Sequence, residues 1–457
     1  MAGIVAIYDL NQSNRNNVVY LLAHSMRMLQ HRGKAYWKII IGNRATSGTG
    51  SLPSDIEIAK IAKKENLFGN NGMGYLSKRT PQFQSMRYIH VAIDGFLVDT
   101  EKLHLHPCVG RAKEMDSLYK IYHIFCYLLF ERKDPEKGAQ FLDRHIRGNI
   151  FVEIGEDIYI YRNSSGFKPL VAGANNSKSV FIIASENSLR ISLKDITFKD
   201  INPGYLMKLN RDGLEVVASN PQERLMIDPF EFIRESHVAS LINNKSIYII
   251  RKQVGKLQAD FLSSKLDIDH AFAEPDYTRP MTLGFSIEYQ KSSPLFDISE
   301  GIIKDRYDDA DNMIDFSEQV SKNKLLSTGK SLKFIIQSLV KDKKIAVVQG
   351  TVQTGRTASE TLFYLRNAGA KLVNMIVSYV VTIDGRQVGL YTQNRELIAN
   401  KYVGKVVSIN QLNDKIANEL GADGLYYNSP SILAKGIGIS EKNLWFPEWV
   451  RFLDYNK

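Results

Sequence analysis

The stretch of this chain that could do chemistry most directly is IAVVQGTVQTGRTASETL, residues 345–362. A β-branched apolar run ends at Gln349 and Gly350, and a helical pattern begins a few residues later. Between them, Thr351, Thr354 and Thr357 offer hydroxyls, Gly355 lets the backbone approach a ligand closely, and Arg356 supplies positive charge. Backbone N–H groups at the start of a helix attract anions, so this turn is read as a possible seat for a terminal phosphate. The same residue types also serve ordinary strand-to-helix turns.

A second set of residues has the composition of a nucleic-acid contact. The chain has a formal net charge of +10, and residues 1–228 carry 30 Lys and Arg against 23 Asp and Glu. Basic residues lie beside aromatics or amides in QHRGKAYWK, KRTPQFQSMRY and RHIRGN. There Lys34, Lys38, Lys78, Arg79, Arg87, Arg144 and Arg147 could meet phosphates, and Tyr36, Trp37 or Tyr88 could stack on unpaired bases. The alternative is a solvated basic surface over core aromatics.

The bulk numbers bound these readings. A chain of 457 residues with 44% hydrophobic content can form two or three domains. No apolar stretch is long enough to span a bilayer and the N-terminus has no secretory pattern, so a cytoplasmic protein with no membrane partner is expected. Cys108 and Cys126 form neither a disulfide framework nor a zinc cluster, and are read as buried core thiols. No metal and no cofactor is expected.

The elements that must position these residues follow from periodicity. GIVAIYDL reads as a buried strand. Val19, Leu22, Met26 and Leu29 fall at helical spacing, with Gly33 as the stop. MRYIHVAIDGFLVD reads as a strand, a tight Asp-Gly turn and a second strand. Short β runs continue through 148–217. Residues 218–229 read as a linker. Beyond it, β runs (KSIYII, HAFAEPD, KIAVVQG, LVNMIVSYVV) alternate with helical patterns, which is the rhythm of a parallel sheet. The polar segment 300–330 reads as a loop or cover.

With these residues in view, the 345–362 segment resembles the phosphoribosyl pyrophosphate loop of type I phosphoribosyltransferases. The wider match, over nearly the whole chain, is to the glutamine amidophosphoribosyltransferase family. GIVAIYDL, LQHRGKAYW, GMGYLSKRT, IDGFLV, RNSSGFKPL, IASENSL and INPGYL occur in the family's order, followed by PFEFIRES, KDRY and GADGLYY. The resemblance implies an αββα sandwich of the N-terminal-nucleophile type over 2–220, a phosphoribosyltransferase-like α/β domain with a mainly parallel sheet over 230–430, and a C-terminal extension over 431–457. It also implies glutaminase and phosphoribosyl-transfer sites, and assembly as a homo-oligomer.

Against that pattern, several positions differ. The family's nucleophilic cysteine falls on Ala2, its oxyanion-stabilising Asn-Gly on Asp94-Gly95, and its glutamine-holding arginine on Ser77, with Tyr75 in place of the nearby histidine. The two acidic residues that grip the ribose fall on Gln349 and Gly350, and a basic loop becomes Asp309-Ala310-Asp311. His31, Arg32, Gly33, Gly95, Asp116 and Gly166 keep the family's residues. A methyl group cannot attack a carbonyl, and a carboxylate at 94 would repel a developing oxyanion. The resulting expectation is a pseudoenzyme that acts by binding, with RNA or a ribonucleoprotein such as the ribosome ahead of a paralogous amidophosphoribosyltransferase in purine synthesis. A third expectation is an ammonia-dependent phosphoribosyltransferase or a nucleotide sensor using Thr351–Thr357.

Overall fold

The computed structural model describes residues 2–11, 17–42, 44–78, 83–86, 89–222, 224–304, 333–389 and 397–455. Arg79, Arg87, Tyr88 and Asp309-Ala310-Asp311 lie outside the described residues. The chain divides into two compact units, one of residues 1–228 and 239–244, the other of 229–238 and 245–457.

The first unit is built on two antiparallel sheets. One contains β1 (Ala2–Asp9), β2 (Tyr36–Ile41), β3 (Arg44–Thr49) and β4 (Asn71–Ser77), ordered so that β1 and β2 flank β4. The other contains β5 (Phe83–Met86), β6 (Ile89–Leu97), β7 (Ile146–Ile154) and β8 (Asp157–Arg162). Alternation along β1 explains the layering. Ile4, Ala6 and Tyr8 face the second sheet and pack with Ala92, Phe151, Ile158 and Ile160. Val5 and Ile7 point the other way, into a core with Val19, Leu22, Met26 and Leu29. Val19, Leu22 and Met26 line one face of α1 (Asn17–Met28), as their spacing predicts, Leu29 follows directly after it, and α2 (Asp55–Glu65) adds Ile58 and Ala62 to the same core. The helices α3 (Ser117–Cys126) and α4 (Pro135–His145) bury Ile121, Phe125, Ala139 and Leu142 against the outer face of the second sheet. This is the αββα sandwich.

Three local readings change. Asp94-Gly95 is not a turn: β6 runs unbroken through it and pairs along its length with β7. Gly95 (φ +148) faces Gly148 (φ +133), and a Cβ at Gly95 would fall 2.0 Å from the Arg147 carbonyl oxygen. The glycine serves a close strand approach rather than a reversal. Within the stretch read as a linker, Met226 and Asp228 are tied down in this unit, since Met226 N donates to Ser165 O and Asp228 N to Phe167 O. The Asp228 carboxylate meets Lys168 Nζ at 2.6 Å with both side chains buried. Cys108 and Cys126 are only half-buried. Burial pushes the Cys126 thiol up to about 11, and Cys108 Sγ lies 3.0 Å from His106 Nδ1.

The second unit holds a parallel sheet of the strands His270–Ala273, Lys344–Gln349, Leu372–Val377 and Gly424–Tyr427, paired in that order. Its strands are nearly continuous apolar runs, as expected for a sheet covered on both faces. KSIYII, read as β, lies mostly in the helix Ile247–Leu262, with only Lys245–Ser246 extended. Ile247, Ile250, Val254 and Leu262 share that helix's buried face, a period-3.6 pattern that the short quoted run is too brief to reveal. The aromatic C-terminal segment packs onto this unit through Leu444, Phe446, Val450 and Leu453, all buried.

Candidate functional site

In the first unit, Ala2 opens β1 and is buried, 2% exposed. Its N–H donates to Asp94 Oδ1 at 3.1 Å. Arg32 Nε donates to the Ala2 carbonyl at 2.9 Å, and Arg32 Nη2 to Asp94 Oδ2 at 3.0 Å. Arg32 Nη1 lies 3.8 Å from Glu186 Oε2, and Glu186 also meets His31 Nε2. The Arg32, Asp94 and Glu186 side chains are fully buried. The one-turn helix Gln30–Arg32 after α1 brings His31 and Arg32 to this point. Gly33 lets the turn lie flat on β4, since a Cβ there would fall 2.4 Å from the Ser77 carbonyl carbon.

Arg32, Asp94 and Glu186 therefore form one buried cluster beside the backbone of residue 2, with the half-buried His31 on Glu186. The Asp94 carboxylate, expected from the sequence to repel a developing oxyanion, is held against the Arg32 guanidinium. Ser77 is buried and pairs in register with Ala2. Tyr75 is buried with its ring edge-on to Tyr36. Asp116 takes a capping role: its carboxylate accepts from Tyr119 N at 3.0 Å at the start of α3. Gly166 takes φ +65, which a glycine adopts freely.

In the second unit, the parallel sheet delivers Gln349 to the end of a central strand. Ser378 N donates to Gln349 O and Tyr379 N to Gly350 O, which fixes the backbone leaving the sheet. Gly355 (φ +83) ends the loop at the N-terminus of the helix Arg356–Asn367, and as the N-cap residue it has no side chain to offer. Thr354, Arg356 and Thr357 are exposed, and Thr351 is half-buried. Thr354 Oγ1 accepts weakly from Arg356 N at 3.4 Å. Exposed hydroxyls, a guanidinium and open backbone donors thus share one helix start, an arrangement able to bind a phosphate.

Sequence reasoning missed what surrounds Gln349 and Gly350. Glu274 follows the strand His270–Ala273 and is 8% exposed. Its Oε1 meets Lys333 Nζ at 2.7 Å. Its Oε2 lies 3.0 Å from Thr361 Oγ1 and 3.5 Å from Gln349 Nε2. Gln349 is turned toward this carboxylate, and Gly350 lies under the ring of Tyr277. The only sequence signal was a Glu directly after a β run in HAFAEPD.

The basic residues are not gathered on one element. Lys34 is exposed just before β2, and Arg144 is exposed on α4. Lys38 is half-buried, and burial lowers its ammonium to about 8. Lys78 is half-buried, and Arg147 turns its guanidinium onto the Asp143 and Ile146 carbonyls. Trp37 is buried over Gly48, so it offers no free face for stacking. Among the described residues, no group of three or more His, Cys, Asp or Glu could hold a metal, and no helix is long and apolar enough to cross a membrane.

The two units define a class: an N-terminal-nucleophile glutamine amidotransferase-type sandwich joined in one chain to a phosphoribosyltransferase-type α/β unit. No family model matches the chain. Over 468 residues it is 24% identical to the amidophosphoribosyltransferase of Methanothermobacter thermautotrophicus, covering 96% of this chain and 91% of that one. It is also 24% identical to the enzyme of the same name from Archaeoglobus fulgidus, over 94% of this chain and 92% of the other. The solved B. subtilis glutamine phosphoribosylpyrophosphate amidotransferase complexed with ADP and GMP shares the fold, with a TM-score of 0.73 over 95% of this chain and 92% of that one, at 19% identity. Over nearly its whole length the chain is thus similar to amidophosphoribosyltransferases.

These findings overturn the expectation of a pseudoenzyme. The proteins this chain resembles from end to end are transferases, and its altered positions are read within an enzyme scaffold.

Proposed function

We propose that this protein acts on a phosphoribosyl ligand in its second unit and takes its nitrogen from free ammonia. The observation that carries the reading is a contrast between the two units. At position 2 the side chain is a buried methyl group in the apolar core, and Arg32 and Asp94 hold the backbone beside it. At residues 351–357, by contrast, the exposed Thr354, Thr357 and Arg356 surround a helix start whose N-cap is Gly355. Ammonia needs no activation by a thiol: its lone pair can attack the sugar C1 as pyrophosphate departs with the bonding electrons, and the extra proton passes to solvent. The role of the loop is to hold the 5′-phosphate while this happens.

The test is pyrophosphate release from the magnesium complex of phosphoribosyl pyrophosphate, with ammonium chloride or glutamine as nitrogen source. Release with ammonium and none with glutamine is expected. Glutamine-dependent release, or no release with either, overturns the reading.

A second reading, an RNA partner, rests on the charge of +10 and on the exposure of Lys34 and Arg144. Retention of structured RNA on filters should then fall steeply with salt. A flat salt response removes it.

A further inference from the structure

Gly350 directly follows the strand Lys344–Gln349 and immediately precedes the loop 351–357. A Cβ built there would fall 2.3 Å from Tyr277 Cε2, 2.4 Å from its hydroxyl oxygen and 2.7 Å from Cζ. The space into which a side chain at 350 would grow is therefore occupied by the phenol end of Tyr277. The ring is held from its other surroundings: the Arg234 guanidinium carbon lies 5.0 Å from the ring centroid, within cation–π range. The backbone at 349–350 is fixed by the Ser378 and Tyr379 N–H groups. The neighbouring Gln349 amide is directed at Glu274, which leaves Tyr277 as the polar group at position 350. Tyr277 is half-buried, and no described residue hydrogen-bonds its hydroxyl.

We infer that Tyr277 is a specificity-determining residue that replaces the missing side chain at 350, its hydroxyl hydrogen-bonding a sugar hydroxyl of a ribose 5-phosphate ligand held by residues 351–357. This rests on the phosphate-binding reading of that loop. A phenol differs from a carboxylate in two ways that set the ligand class. It both donates and accepts, and it carries no charge at neutral pH. The grip is thereby suited to a sugar diol without requiring a cation to screen it, and it is weaker than that of a charged acceptor.

The experiment compares ribose 5-phosphate with ethyl phosphate, a monoester without sugar hydroxyls, by calorimetry on the full chain. The wild-type protein is expected to bind both, with ribose 5-phosphate tighter. Tyr277→Phe removes one oxygen and keeps the ring on Gly350 and under Arg234. It should weaken ribose 5-phosphate by about 3- to 10-fold, the worth of one neutral hydrogen bond, and leave ethyl phosphate unchanged. An unchanged preference in Tyr277→Phe overturns the role of Tyr277 while leaving the loop reading intact. If wild-type protein binds neither ligand, or if Arg356→Ala leaves both affinities unaltered, the loop reading itself fails and the inference falls with it.

Discussion

Arg32 Nη2 donates to Asp94 Oδ2 at 3.0 Å, and neither side chain is exposed to solvent. The same guanidinium holds the carbonyl of Ala2, whose N–H is bound by the same carboxylate. The Arg32–Asp94 pair thereby clamps the first strand at its opening residue. Removing Asp94 leaves the buried guanidinium with only the more distant Glu186 carboxylate, 3.8 Å away. Asp94→Ala should therefore cost about 3–5 kcal/mol of folding stability. Urea unfolding with an unchanged slope and a lowered midpoint checks it, and a loss below about 1 kcal/mol would show that the pair does not act as a clamp.

Gly95 tests the same corner by shape alone. Its φ of +148 and the 2.0 Å approach of a built Cβ to the Arg147 carbonyl leave no place for a methyl group. Gly95→Ala should destabilise by more than about 2 kcal/mol, through strain and lost β6–β7 pairing. Thermal unfolding against wild type reads the effect. A variant of unchanged stability would mean that the strands separate at little cost.

Glu153, on β7, pairs in register with His90 on β6. It is 2% exposed, and neither carboxylate oxygen has a hydrogen-bond partner. Burial pushes its carboxyl up to about 8. Because this folded value exceeds the unfolded one, the folded protein holds a proton that the unfolded chain has released, and stability falls as pH rises toward that value. Burial and the nearby Lys38 ammonium depress His90 to about 4, which acts in the opposite sense between that value and its ordinary one of 6.5. Above about pH 6.5 only the Glu153 effect remains between these two, approaching about 1.4 kcal/mol per pH unit well below its folded value. Glu153→Gln should lose this slope and gain on wild type as pH rises from about 6.5 to about 8. Parallel stability–pH curves for the two proteins would contradict it.

Restoring an acidic side chain at position 350 should fail on its own. Gly350→Asp would place its Cβ within 2.3 Å of the Tyr277 ring, which must leave its place under Arg234. A loss of about 1–3 kcal/mol is expected, as for an overpacked site. The double variant with Tyr277→Ala should recover a substantial part of it, a coupling that a double-mutant cycle measures directly. Additive effects would show that the two residues do not compete for one space.

Much of this architecture was legible in the sequence because local periodicity carries it. The face of α1 made by Val19, Leu22 and Met26, the two-sided burial of β1, and the apolar strands of the parallel sheet all follow from patterns of 3.6 and 2 within a few residues. Asp94-Gly95 was misread because the dipeptide that favours a tight turn also suits two strands that approach too closely for a Cβ. Only the partner Gly148, some fifty residues on, distinguishes them.

The sequence by itself determined the order of the elements, the methyl group at position 2 and the glycine at position 350, since these are properties of residue type and spacing. Tertiary structure alone decided what surrounds them. Arg32, Asp94 and Glu186 converge on Ala2 from three separate segments, and Tyr277 reaches the space beside Gly350 from more than seventy residues away. Such contacts depend on how sheets and helices are stacked. That stacking is a sum of many weak packing energies over the whole unit, and no short window of residues contains it.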